Sequence, residues 1–310
     1  MGVFFVAIYL YIQNIKELFM SNKVTEDYPG KALSTEELKA KVAAEANIQS
    51  AKKSKFPTEI VDLPSKGRLY PSDNPLSSGK VEMKYMTAKE EDILTSSNLI
   101  QKGVVVDTLL RALIVSNGEG QSVNYGDLSI GDKNAIMVAA RVLGYGADYP
   151  VEIACPACGH KHKISVDLAS LENKKINESL LDNGPVYDFH LPASKRDITF
   201  KILTHNDEKK IEEEAKKMKK KNFGGNGVTY ELTSRLKHMI QSVDGVTDSK
   251  AIKTFVEEEF LSRDSLAFRK HIEAISPDVN MGIHFECENC SHEEASIQMP
   301  MNVNFFWPGA

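Results

Sequence analysis

Stretches of period-two alternation take turns along the chain with stretches of helical periodicity. Val81–Met86 alternates and predicts a strand. Thr87-Ala88-Lys89-Glu90 follows as a capping box and predicts a helix through about Ser97. Asp107–Val115 is apolar on most sides and predicts a central helix. Ser129-Ile130-Gly131-Asp132 opens another, with Ile136, Val138, Ala139, Val142 and Leu143 as a wide buried face and Gly144 and Gly146 as its end. Ahead of these, Ile60–Pro71 mixes turn-forming residues with bulky ones and predicts an extended strap over the core.

The second half repeats the mixture. Val186–His190 and Ile198–Leu203 predict a strand pair. Thr204-His205-Asn206-Asp207 caps a highly charged helix that ends in Lys216–Lys221. Phe223–Gly227 is a glycine-rich, flexible break. Tyr230–Val243 predicts a helix with Leu232, Leu236, Met239 and Ile240 on one face, and Asp244-Gly245 predicts a turn. Lys250–Leu261 and Ser265–Ile275 predict two more helices, and Pro277 stops the last.

The four cysteines organise this series. Cys155/Cys158 and Cys287/Cys290 form two Cys-x-x-Cys pairs, each at the tip of a predicted hairpin. Val151 and Ile153 precede the first pair, and Ile164 and Val166 follow it; Ile283 and Phe285, then Ala295 and Ile297, flank the second. Two thiolates three positions apart hold one side of a tetrahedral ion, and a second such knuckle supplies the other side. The spacing therefore predicts one structural Zn²⁺ bound by Cys155, Cys158, Cys287 and Cys290, with no open position for water or substrate. The competing readings are two disulfides or four idle thiols. His160, His162, His284 and His292 lie near the knuckles and are expected to be solvated hairpin residues more often than replacement ligands. Between Cys158 and Cys287 lie 128 residues, too many for a knuckle loop, so they are expected to fold on their own and to be closed by the metal.

The fold class read from this is α+β: a mainly helical body with a split four-cysteine zinc ribbon, made of two β-hairpin knuckles, and a helical insertion between them. Residues 1–19 form an apolar leader and 20–55 a polar arm with a helix over about 35–53. Residues 56–150 form a helical domain with a strand, 151–168 and 281–299 the split ribbon, and 169–280 the inserted, mainly helical domain. Residues 300–310 form an aromatic tail, in which Phe305, Phe306 and Trp307 either dock on their own domain, the favoured reading, or anchor a partner.

The apolar run Val3–Ile12 is half the length of a spanning helix, which needs about twenty residues. Met20-Ser21-Asn22-Lys23 reads as an ordinary start, so residues 1–19 are expected to be an upstream extension of the reading frame; the rival reading is a short amphipathic anchor. Hydrophobic residues make up 42% of the chain, enough for a buried core. The net charge of -5 argues against a dedicated nucleic-acid binder. The basic run Lys216–Lys221 fits the solvated C-terminus of a helix, where lysine suits the macrodipole. No phosphate-binding glycine loop, H-E-x-x-H or G-x-S-x-G is present, and nothing in the sequence argues for an enzyme or a small-molecule substrate.

A series of short words adds a family likeness. Leu63–Tyr70 (LPSKGRLY), Thr87–Glu91 (TAKEE), Leu128–Lys133 (LSIGDK), Arg141–Gly146 (RVLGYG), Cys155–Gly159 (CPACG), Val166–Leu168 (VDL), Ser242–Gly245 (SVDG), Cys287–Cys290 (CENC) and Phe305–Pro308 (FFWP), in this order, resemble the baseplate hub protein family of T4-like contractile-tailed phages. The resemblance covers about residues 56–310. It implies a late, non-catalytic structural or assembly protein that is built in the host cytoplasm and located in the virion tail baseplate. The implied partners are hub and tape-measure proteins, with the two Cys-x-x-Cys pairs as metal ligands. Two other readings stay open: a tail-assembly chaperone for the tape-measure protein, absent from the mature virion, and a zinc-ribbon nucleic-acid-binding protein.

Overall fold

The computed structural model describes residues 57–181, 184–221, 231–300 and 305–306. The apolar leader, the polar arm with its helix, the break at Phe223–Gly227 and Trp307 lie outside the described residues.

The first sheet is antiparallel, in the order β1 (Thr58–Asp62), β2 (Lys80–Lys84), β3 (Ile114–Ser116). Its register runs from Thr58 opposite Lys84 to Asp62 opposite Lys80. The alternation of β2 is observed: Val81 and Met83 are buried between outward-facing neighbours. The predicted strap is only half right. Its first residues pair as β1, and only after Asp62 does the chain turn, with Lys66, Arg68 and Tyr70 each donating to a carbonyl three residues back. Gly67 has φ +81, and a Cβ there would lie 2.2 Å from the Ser77 carbonyl oxygen, so the turn needs glycine.

The helices of this part follow their caps. α1 (Ala88–Thr95) begins where Glu90 accepts hydrogen bonds from both the N–H and the hydroxyl of Thr87. α2 spans Ser97–Gln101 and α3 Val105–Leu113. The helix predicted through Val115 is cut short, because the β-branched pair Ile114-Val115 pairs with β2 as strand β3. α4 (Ile130–Tyr145) starts at Ser129, whose hydroxyl accepts from the Asp132 N–H, and stops at Gly146 with φ +86. Gly144 does not end it; it lies inside the helix, where Met86 packs against its missing side chain.

The knuckle hairpins come next, β4 (Asp148–Ala154) with β5 (Lys161–Asp167), and, much later, β9 (Gly282–Glu286) with β10 (Glu293–Gln298). Between them lies a second sheet, β6 (Tyr187–His190), β7 (Asp197–Phe200) and β8 (Ile240–Val243). α5 (His205–Lys221), α6 (Glu231–Met239), α7 (Ser249–Thr254) and α8 (Ser262–Ile275) surround it, with a π turn at Phe255–Glu259 extending α7. The predicted helix Tyr230–Val243 gives up its last four residues to β8.

Two apolar cores result. One joins Leu63, Leu76, Met83, Leu109, Leu110, Leu113 and Ile136 to knuckle residues Val151, Ile153 and Phe285 and to Phe305 and Phe306. The other, within the insertion, centres on Phe200, Ile198, Leu236, Phe255 and Phe268, and Leu69 touches both. The insertion enters and leaves through a zipped neck. Asn173 bridges Val279, Lys174 N–H donates to the Asp278 carbonyl, and Asn280 N–H donates to the Glu172 carbonyl, both at 2.8 Å. Backbone hydrogen bonds at this neck therefore close the long loop expected from the sequence, independently of the cysteines.

Candidate metal centre

Each knuckle is fixed by its own strands and its own turn. In β4 and β5, Val151 faces Ile164 and Ala154 faces Lys161, so Cys155 emerges where the ladder ends. Cys155 N–H donates to the His160 carbonyl, and Gly159 N–H donates back to the Cys155 carbonyl, both at 2.8 Å. The second knuckle repeats this: Cys287 N–H donates to the His292 carbonyl and Ser291 N–H to the Cys287 carbonyl, both at 2.9 Å. Gly159 and Ser291 occupy the same position and both have positive φ, +73 and +53. Glycine takes that backbone freely, and serine does so at a cost.

The structure brings the two pairs together. All four Sγ atoms lie within 4.8 Å of one another. Cys155 Sγ is 3.7 Å from Cys290 Sγ, and Cys158 Sγ is 3.7 Å from Cys287 Sγ. Four sulfurs about 2.3 Å from one tetrahedral zinc would be about 3.8 Å apart, so the set fits such an ion. All four thiols are free in the structure. Cys155 and Cys287 are buried in the first core, whereas Cys158 and Cys290 face the surface. The His160 N–H and the Asn289 amide hold the Cys158 thiol down at about 6, while the contact with Cys158 pushes the Cys290 thiol up, so of these two sulfurs Cys158 is the first to become a thiolate.

The histidines divide. His284 and His292 lie beside Glu293 and Glu294, at 3.6 and 3.7 Å. His162 departs from the expected solvated position: it is 8% exposed, packs edge-on to Phe285, and places Nε2 3.3 Å from Cys287 Sγ. The signal for it was in the sequence, since His162 falls two positions before Ile164 on the inward side of β5.

Of the aromatic tail, Phe305 and Phe306 are described, and they pack against the first knuckle. Phe305 and Phe306 are 1% and 3% exposed, and the Phe305 ring sits 5.0 Å from that of Tyr149. Tyr149 also donates to the Pro300 carbonyl at 2.9 Å. Both rings are thus covered by their own chain. Lys216, at the head of the basic run, pairs with Glu212 one turn earlier on α5.

Two polar clusters outside the knuckles were not legible. Asp132, fully buried, accepts from the Tyr70 hydroxyl at 2.5 Å and the Ser65 N–H at 2.9 Å, and the Ser129 N–H donates to the same Tyr70 oxygen. Burial pushes the Asp132 carboxyl up, and these donors pull it back only in part. Asp107 gathers the Tyr125 hydroxyl and Lys133 at one oxygen and His205 and Lys209 at the other, all within 3.2 Å. Burial alone would raise its carboxyl, but the Lys133 charge and the Tyr125 and Lys133 hydrogen bonds outweigh that and bring it to about 2. This cluster ties α3 and α4 to the start of α5.

Among the described residues no helix is long and apolar enough to cross a membrane. Comparison with curated proteins and with solved structures finds no match. A family model described as T4 bacteriophage base plate protein matches residues 57–307. That span holds both knuckles, both cores and the Phe305–Phe306 pair, and the chain therefore belongs to the T4 bacteriophage base plate protein family.

Proposed function

We propose that this protein is a structural or assembly component of the baseplate hub of a contractile phage tail, carrying one structural zinc ion and having no catalytic role. Membership of the base plate family carries the proposal. Its narrowing to the hub, with hub and tape-measure proteins as partners, rests on the resemblance of the ordered words between Leu63 and Pro308. In this reading residues 56–150 form the body, 151–168 and 281–299 the split ribbon, and 169–280 the inserted domain. Cys155, Cys158, Cys287 and Cys290 would hold the zinc. With four sulfurs bound, such an ion has no open position and acts as a cross-link that keeps the hub-facing surfaces rigid.

Disrupting the gene tests the reading: the expected result is phage without complete baseplates, and normal infectious tails would refute it. Mass spectrometry of purified tails separates a resident hub part from a chaperone of the tape-measure protein that leaves before completion. One zinc per purified chain is the expected metal content.

A further inference from the structure

The two knuckles match position for position through the cysteine turns but not in their side chains around the sulfurs. Position 162 in the first knuckle corresponds to 294 in the second, since each faces the residue two before the first cysteine of its own turn: Ile153 opposite His162, Phe285 opposite Glu294. Position 289 corresponds likewise to 157. One member of each pair carries an N–H and the other does not: His162 against Glu294, and Asn289 against Ala157.

Both N–H groups reach across to the opposite knuckle. His162, on the first, places Nε2 3.3 Å from Sγ of Cys287 on the second. Asn289, on the second, donates through Nδ2 to Sγ of Cys158 on the first at 3.6 Å. A metal-bound thiolate carries no proton, so the hydrogen in the His162 contact belongs to Nε2. Four thiolates around one divalent ion leave a formal charge of about −2 to be offset. The second knuckle brings Glu286, Glu288, Glu293 and Glu294 and no lysine or arginine, so neutral N–H donors are what it has to offer. His162 is buried against Phe285, where an imidazole without a polar partner would be costly.

We infer that His162 and Asn289 are positioning residues of the metal centre, two crossed N–H to sulfur hydrogen bonds that hold the half-sites in register and slow metal loss. The inference rests on the proposed zinc reading. Outer hydrogen bonds of this kind typically change metal affinity by about 10–100-fold when removed.

The test uses the full chain loaded with zinc or with cobalt(II). His162→Leu should release zinc to a chromogenic chelator about tenfold faster or more. It should also shift the sulfur-to-cobalt charge-transfer band to lower energy, because an unbonded thiolate is the better electron donor. His162→Gln, which keeps an N–H, should recover part of both. Asn289→Ala changes an exposed side chain and keeps the fold, and should move both readouts the same way by less. Wild-type band position and release rate in His162→Leu, or in Asn289→Ala should His162→Leu not fold, would overturn the inference while leaving the zinc centre standing. A wild-type chain that takes up neither metal would overturn both.

Discussion

The hydroxyl of Tyr70 donates to a carboxylate oxygen of the fully buried Asp132, 62 positions along the chain. The same tyrosine oxygen accepts the N–H of Ser129, the residue that caps α4. Tyr70→Phe therefore leaves one buried N–H unpaired and takes one donor from a buried carboxyl. The expected cost is about 1–3 kcal/mol, read as a lower urea midpoint with an unchanged slope.

Asp107 gives the protein a defined acid limit. Its folded carboxyl lies at about 2, below its ordinary value of 3.8. A depressed carboxyl contributes stability that is complete above the unfolded value and is lost as pH falls from about 4 towards about 2. Allowing for screening at this partly open site, the contribution is about 1–2 kcal/mol. Asp107→Asn should flatten the stability curve over that window and lower stability at pH 7, where Lys133 and Lys209 lose their counter-charge. Denaturation midpoints of the two proteins from pH 7 to pH 2 check this.

Cys155→Ser should abolish metal binding, and its damage should be local. The sequence alone suggests that the whole insertion loosens, because it joins two halves of one ribbon. The bridge between Asn173 and Val279 changes that expectation, since it closes the insertion independently of the sulfurs. Hydrogen exchange should quicken about tenfold or more in β4, β5, β9 and β10, and stay near wild type in β6–β8. Equal loss in both regions would mean that the ion holds the insertion too.

The matched turns offer a fourth test. Ser291 holds φ +53 where Gly159 holds +73. Ser291→Gly relieves left-handed strain of about 1–2 kcal/mol and gives back about 0.5–1 kcal/mol in the entropy glycine loses on folding, a small net gain. A Cβ at Gly159 meets nothing within 4 Å, so Gly159→Ala costs only the backbone term, about 1 kcal/mol. Melting temperatures should rise slightly for the first and fall for the second.

The knuckles were legible because two signals coincided, paired cysteines at fixed spacing and alternation on either side of them. The caps at Thr87 and Ser129 were legible because they are local. The ends of α3 and α6 were not: Ile114-Val115 and Ile240–Val243 continue the apolar face of the helix before them, and only pairing with β2 and β7 shows them to be strands. The partners of Tyr70, Asp107 and His162 were out of reach for a related reason, since each lies on an element distant in sequence.

Phe305 and Phe306 sit in a core otherwise drawn from residues as early as Leu63. That core is unfinished while residues 305 and 306 are still inside the ribosome. This body therefore cannot finish folding until residues 305 and 306 have emerged, and a tail subunit that recognises the finished surface is offered only chains translated at least that far.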